Sequence, residues 1–261
     1  MSQDTIIPPT EWVLARNTII NKWMDFFYWL IKGQFPWRET WEQFKLVILN
    51  GWMTVFMGSV VQGIFVMWMA GFYGDMFGGY IWVGTVTTFA VFRELAVLMC
   101  TVLFAARIGT AFTVEIGSMQ MSEQISALKI MDVEPNTYLV IPRVIASTLA
   151  VPLFVGFSFG VAIFISWIFM AFFWDLSFEI FFLNAFSFID PGMLTNSLLR
   201  ALTIGFVTGL NAVALGFYPC NGAEDLGKAT TKSMVINLFS LLLIDLAIGM
   251  VSASLSMGAP T

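Results

Sequence analysis

Ionisable side chains stand within or beside long apolar runs at Arg93, Glu94, Arg107, Arg200 and Asp245. An Arg or Asp at the centre of a membrane helix costs about 2.5–3.5 kcal/mol on insertion scales, so such groups face a cavity, a partner or one another. A guanidinium facing a cavity can hold a phosphate or carboxylate. Arg93 and Glu94, with Leu95 beside them, are therefore candidates for binding the head of an amphiphile. The same residues also suit a structural pair with a neighbouring helix, and both readings stand. For Arg107, Arg200 and Asp245 the structural use is the expected one, with Asp245 placed to meet an arginine. Arg93, Glu94 and Asp245 would also serve as the charge relay of an ion-coupled secondary transporter, although five spans without inverted repeats count against that reading.

A polar island, RIGTAFTVEIGSMQMSEQISALKIMDVEPNTYLVIPR from Arg107 to Arg143, separates two of the apolar runs. From Ser118 to Met131 it reads as an amphipathic helix, with Met121, Ile125 and Leu128 on one stripe and Glu123, Gln124 and Lys129 elsewhere. Asp132 to Pro135 ends that helix, because Pro135 disfavours helical backbone at Glu134. Braced between two spans, such a helix can dock into a partner and carry its movement, or lie on the surface as a connector.

Other chemistry is excluded. Gly222, Gly227 and Lys228 reproduce most of the phosphate-binding pattern GxxxxGK[ST], but Ala229 stands where the hydroxyl for Mg²⁺ is needed and no strand precedes. The apolar runs hold no HExxH, GxSxG or paired catalytic aspartates, so the chain is not expected to be an enzyme. His is absent and no ligand cluster is visible, so no metal or cofactor is expected. A net charge of −5 offers no basic surface for nucleic acid. Cys100 and Cys220 read as packing cysteines.

The elements that position these residues are membrane helices. With 58% hydrophobic and 11% charged residues in 261, the composition is far from that of a soluble domain. Five spans are expected, near 46–74, 78–105, 139–173, 194–218 and 233–256. Arg16, Lys22, Lys32, Arg38, Lys45, Lys129, Arg143, Lys228 and Lys232 fall at one side of these spans, and Asp75, Asp175, Glu179 and Asp190 at the other. That asymmetry puts the N-terminus in the cytoplasm and the C-terminus outside. Asp4, Pro8, Pro9 and Glu11 leave no room for a signal peptide, so the first span is expected to direct insertion. Before it, Thr10 is placed to cap an interfacial helix carrying Trp12, Val13, Ile19, Ile20, Trp23, Phe26, Phe27, Leu30 and Ile31 at helical spacing. Trp37, Trp41 and Phe44 lead into the first span, with Arg38 and Glu42 set for an i,i+4 pair. The sum is an all-α polytopic membrane protein: an N-terminal interfacial region over 1–45, then a five-span domain over 46–261. Gly156 with Gly160, and Gly205 with Gly209, are GxxxG pairs that serve either the fold or a dimer. Trp167, Phe169, Phe172, Phe173 and Trp174 suit an interfacial belt.

The run EIGSMQMSEQISALKIM followed by YLVIPR closely resembles the signature of the MlaE/YrbE permease family of ABC lipid transporters. The similarity extends to FREL at 92–95, LFAARIGTAFTVEIG at 103–117 and NGAEDLGKATTKSMV at 221–235, in matching order from about residue 45 onward. The resemblance implies a permease subunit paired with a second copy. It implies a cytoplasmic coupling helix over about 115–132, between spans 2 and 3, seated in a separate ABC ATPase that holds the ATP and Mg²⁺. Glu115, Glu123 and Gln124 would make polar docking contacts, while Met121, Ile125 and Leu128 fill the groove. The family further implies a lipid substrate, by default a phospholipid, near Arg93 and Glu94. It adds a periplasmic MCE-domain partner, a small STAS-type accessory subunit, a bacterial inner-membrane location and a part in outer-membrane lipid asymmetry. Two departures stand out. Ala96 and Val97 follow Leu95 where the family has Gly-Pro, so a helix irregularity is expected to be missing there, and a non-transporting paralogue in a heterodimeric permease stays open. Asp132 replaces the Gly that usually ends the coupling helix.

Overall fold

The computed structural model describes residues 11–31, 36–77, 79, 82–187, 189–220 and 222–258. Thr10, the expected cap, lies outside them. Among the described residues there are eight helices and no strand, and five of the helices are long and apolar enough to cross a membrane. The fold is all-α and polytopic.

Helix α1 (Glu11–Ile31) precedes the first span. Its apolar residues, expected on one stripe, divide between two faces. Ala15, Phe26 and Trp23 pack inward, whereas Ile20, Met24, Phe27, Tyr28 and Ile31 are exposed. Helix α2 (Trp37–Phe77) begins where the Thr40 hydroxyl donates to the Pro36 carbonyl at 2.9 Å. It runs unbroken through residue 45, so the stretch from Trp37 is the first part of the span itself. At 1.5 Å per residue it is about 60 Å long, twice the hydrocarbon thickness. Arg38 and Glu42 make the i,i+4 pair at 3.5 Å.

Helix α3 (Val83–Met121) is the second span and continues well beyond the expected end at 105. It contains two π-helical turns, Val91–Leu95 and Ala105–Gly109. After the short α4 (Gln124–Ile130), the third span α5 (Asn136–Trp174) opens with another π turn, Asn136–Val140. Helix α6 (Phe178–Ser187) was not anticipated: its ten residues are too few to cross a bilayer, and it packs against the start of α3. There a Cβ on Gly84 would come within 2.6 Å of the Phe181 carbonyl oxygen. Helices α7 (Pro191–Gly216) and α8 (Ala223–Gly258) complete the bundle. Asp190 and Pro191 make a well-formed start for α7, with the Asp190 carboxylate accepting from the Gly192 N–H at 3.1 Å.

Helix α7 is the central post, with 67% of its spanning part buried, against 17% for α8. Its glycines allow this. A Cβ on Gly205 would sit 2.9 Å from the Ser147 carbonyl oxygen, one on Gly209 would strike the Ser147 hydroxyl, and that hydroxyl donates to the Gly205 carbonyl at 3.0 Å. The Gly205/Gly209 pair therefore builds the fold by joining α5 to α7. Gly156 and Gly160, in contrast, have no atom within 4 Å of a built Cβ. Between α2 and α5, Ser59 and Ser158 share a 2.8 Å hydrogen bond and Ser166 donates to the Gly63 carbonyl at 2.9 Å. Of the expected belt, Phe172 is 80% exposed, Trp174 donates to Asp75 at 3.2 Å, and Trp167 packs edge-on to Phe178 of α6 at 5.1 Å. Lys45, Lys129, Arg143, Lys228 and Lys232 mark a basic end of the bundle; Asp75, Asp175, Glu179 and Asp190 mark an acidic end.

Candidate functional site

The neighbours Arg93, Glu94 and Leu95 part company in three dimensions. They lie on the π turn Val91–Leu95, closed by the Ala96 N–H on the Val91 carbonyl. Such turns recur at functional sites. The irregularity expected to be missing here is present. It needs only an extra residue in the hydrogen-bond ladder, which Ala96 and Val97 permit as well as a Gly-Pro would. Successive helical residues point about 100° apart, so Glu94 and Arg93 meet different neighbours.

Glu94 accepts from both terminal nitrogens of Arg200, at 2.7 and 3.3 Å. The Arg200 Nη1 also donates to Asp245 at 3.1 Å and to the Arg93 carbonyl at 3.4 Å. Arg200 is 1% exposed, and only a glycine fits opposite it: a Cβ on Gly249 would lie 2.8 Å from its Nη2. Charge-assisted bonds thus tie α3, α7 and α8 at one point. Two carboxylates share one guanidinium, which leaves one negative charge over when both are ionised. Arg93, adjacent in the chain, faces the Phe89 ring at 5.2 Å and, among the described residues, has no carboxylate partner. It lines an open cavity of about 480 Å³ with Asp190, Asn196, Ser197, Ile248 and Val251. One side chain is cationic, one anionic, and the others amide, hydroxyl and aliphatic: that lining suits a molecule with a charged, polar head and an apolar body. Glu94 and Leu95 are not part of the lining, and Leu95 packs half-buried against the core.

At the basic end the expected single coupling helix gives way to two pieces. Helix α3 carries on to Met121, the chain turns at Ser122 and Glu123, and α4 starts at Gln124. Glu123 has φ 58°, a left-handed conformation that costs a non-glycine residue about 1–2 kcal/mol. Asp132, where the family has Gly, also has φ 58°. Glu115 is not a free docking contact: Arg143, whose side chain is 3% exposed, holds it at 2.7 Å and also donates to the Leu139 carbonyl at 3.0 Å. A guanidinium so desolvated requires a counter-charge. Ile125 is buried and Leu128 half-buried against the core, because the turn at Glu123 rotates their face toward the bundle. They anchor α4. The apolar tip consists instead of Ile130, 87% exposed, and Met131, 65% exposed, with Met121 and Val133 also exposed. Glu123 and Gln124 are exposed beside it, and a cavity of about 290 Å³ lies between α4 and the start of α5, lined by Met119, Gln124, Leu128, Met131 and Tyr138.

Residues 40–251 match the family model described as Permease MlaE. The chain belongs to the MlaE permease family. Among its relatives is the protein Trigalactosyldiacylglycerol 1, chloroplastic, of Arabidopsis thaliana, 29% identical over 163 residues, which are 62% of this chain and 47% of that one. A probable ABC transporter permease protein of Synechocystis is 28% identical over 226 residues, 82% of each chain. Another, of Pyropia yezoensis, is 32% identical over 164 residues, 62% of each. The alignment thus spans about half the length of the Arabidopsis protein.

In this MlaE permease the phosphate-loop look-alike is a helix start. From Ala223 onward the backbone is helical, and Lys228 bonds to Glu224 at 2.9 Å and reaches Asp225 at 3.8 Å. A lysine engaged by acids of its own helix, without a loop of inward N–H groups, makes no phosphate cradle. Arg107 is exposed on the second π turn of α3, apart from the interior charges. Among the described residues no group of three or more acidic or Cys side chains could hold a metal. Cys100 and Cys220 are free and buried, and burial pushes the Cys220 thiol above its ordinary pKa. Ile130, Met131 and Asn196 are site residues that the sequence pattern missed. The first two lie at a helix end, where a stripe count has little weight, and Asn196 gives no local signal.

Proposed function

We propose that this chain is the membrane permease subunit of an ABC transporter that moves lipid, driven by a separate cytoplasmic ATPase. The observation that carries the reading is the exposed apolar tip at Ile130 and Met131, on a segment continuous with two spans and standing at the basic end. Exposed apolar side chains at a water-facing end fit a protein partner. The charge bias makes that end cytoplasmic, and so the N-terminus cytoplasmic and the far end of α8 periplasmic. Closure of an ATPase pair would push the segment and rock α3 and α5. ATP and Mg²⁺ belong to that partner. A second copy of the chain is the natural cover for the poorly buried α8.

The substrate reading rests on the Arg93 cavity. Its guanidinium would meet a phosphate or carboxylate head while Ile248 and Val251 contact the chains. A glycerophospholipid is the default, and the word trigalactosyldiacylglycerol in the name of the Arabidopsis relative supports a lipid. Handover to a periplasmic MCE-domain protein, a STAS-type accessory subunit and location in a bacterial inner membrane complete the proposal, and the resemblance to the MlaE family supports them.

The test is purification of the tagged chain from its native membrane in mild detergent, with mass spectrometry of co-purifying proteins and lipids. An ATPase, an MCE-domain protein and an enriched lipid are expected. Recovery of the chain without an ATPase, even after crosslinking, overturns the reading. In the intact complex, Glu123→Lys should cut lipid transfer while leaving membrane insertion unchanged.

A further inference from the structure

Covalent connection carries a push on α4 only into α3 and α5. The interior charge cluster, however, draws Arg200 from α7 and Asp245 from α8, and movement reaches those helices by more than the Ser147–Gly205 packing of α5 on α7. Two sets of polar contacts provide further routes, and they converge. Upstream of α4, the Thr113 hydroxyl bonds to the Ala212 carbonyl of α7 at 2.9 Å and to the Ser233 hydroxyl of α8 at 2.7 Å. Downstream, the first residue of α5, Asn136, accepts from the Lys22 ammonium at 2.7 Å. The next residue of α1, Trp23, donates from its indole N–H to Asn211 of α7 at 3.2 Å, and the Asn211 amide reaches Ser240 of α8 at 3.3 Å. Both routes therefore end on adjacent residues of α7, Asn211 and Ala212.

Helix α1 is firmly seated for this task. Phe26 and Trp23 pack against Phe206 of α7 at 5.5 and 5.9 Å, and the Lys22 ammonium lies 4.1 Å from the centre of the Phe217 ring. Asn136 is itself steadied by donating to Glu134 at 3.0 Å, in the loop that follows α4. Lys22 has its own intrahelical acid, Asp25, at 3.6 Å, so its shorter bond to Asn136 directs a charge across elements that could have been satisfied within one. Burial lowers the Lys22 pKa from its ordinary value, and Asp25 opposes that shift.

We infer that Lys22 is a positioning residue for coupling: through Asn136 and the neighbouring Trp23–Asn211 bond, it makes α1 a strap that passes movement of the coupling segment's downstream end to α7 and α8. The inference rests on the ATPase-driven reading above.

The test uses the full complex with its ATPase in lipid vesicles, and it reads the ratio of lipid transferred to ATP hydrolysed. Lys22→Met keeps the aliphatic stem and removes the charged donor. It should lower the ratio about fivefold or more, the lower range of site-to-site coupling, while ATP hydrolysis continues. Asn136→Leu should do the same, and the double variant should be no worse than either single. Lys22→Arg, which restores a charged donor, should recover the ratio. A merely structural residue would lower the melting temperature and both activities together. An unchanged ratio in Lys22→Met or additive losses in the double variant overturn the strap. Should Lys22→Met fail to accumulate, Trp23→Phe removes only the indole bond and is read by the same ratio: a fall supports the strap and an unchanged ratio overturns it. A wild-type chain that recruits no ATPase overturns the transporter reading instead.

Discussion

Two guanidinium–carboxylate pairs sit at different depths of this permease and lead to opposite kinds of site. Around Arg200 the guanidinium itself is buried: Asp245 and the half-exposed Glu94 come from different spans, and a Cβ at 249 would crowd its Nη2. Around Arg143 the pairing with Glu115 clamps the bases of α3 and α5, and from that clamp a segment projects whose tip, Ile130 and Met131, stands exposed. In each region the paired charges hold, and a neighbour without an ion pair among the described residues is the one available to act. That neighbour is a cation, Arg93, in the bundle and an apolar tip at its end. An ion pair inside a membrane protein is therefore better read as scaffolding, with function sought in the groups that the pair positions.

The comparison breaks or sharpens under substitution. The largest effect belongs to Arg200→Leu, which strands the buried Asp245 carboxylate in the bundle and should cost about 3–5 kcal/mol. Thermal unfolding in detergent and the amount inserted in membranes check it, and wild-type stability would mean that the cluster does not fix the spans. Next comes Arg143→Ala, expected to cost about 1.5–3 kcal/mol for a charged hydrogen-bonded pair. The loss is smaller because the one carboxylate left behind, Glu115, is 44% exposed and can be rehydrated, whereas Asp245 beside Arg200 is 10% exposed. Ile130→Asp with Met131→Asp should leave stability within about 0.5 kcal/mol, as exposed substitutions do, yet abolish co-purification of the ATPase. Retained capture would move the docking surface elsewhere. Smallest is Asp132→Gly, which relieves a left-handed residue and should raise stability by up to about 1 kcal/mol, seen as a modest rise in melting temperature with transport unchanged.

What could be read from residues alone followed from how far each signal extends. Runs of twenty or more apolar residues announce spans, and membership of the MlaE family was legible in EIGSMQMSEQISALKIM and its flanking motifs. Helix α6 escaped because a ten-residue stretch interrupted by Glu179, Asn184 and Ser187 resembles a loop flank, and only packing on α3 makes it an element. The fate of Arg93 and Glu94 could not be read. Which of two adjacent residues meets Arg200 depends on a one-residue widening of the helix, and nothing in VFREL announces a π turn. The stripe Met121, Ile125, Leu128 assumed one unbroken helix, and the left-handed Glu123 changed its phase. The two GxxxG pairs looked alike in sequence. Only Ser147 lying over Gly205 and Gly209 separates the pair that builds the fold from the one that is left open.

The placement of Arg200 on the most enclosed helix also constrains how the protein is made. Translation delivers Glu94 well before Arg200, and Asp245 last. When α7 leaves the ribosome, its arginine would face an insertion cost of about 2.5–3.5 kcal/mol, but a carboxylate on α3 is already in the bilayer to receive it. The helix with the greatest need of company is thus synthesised after its first partner, and the second carboxylate arrives to lock an arrangement already begun.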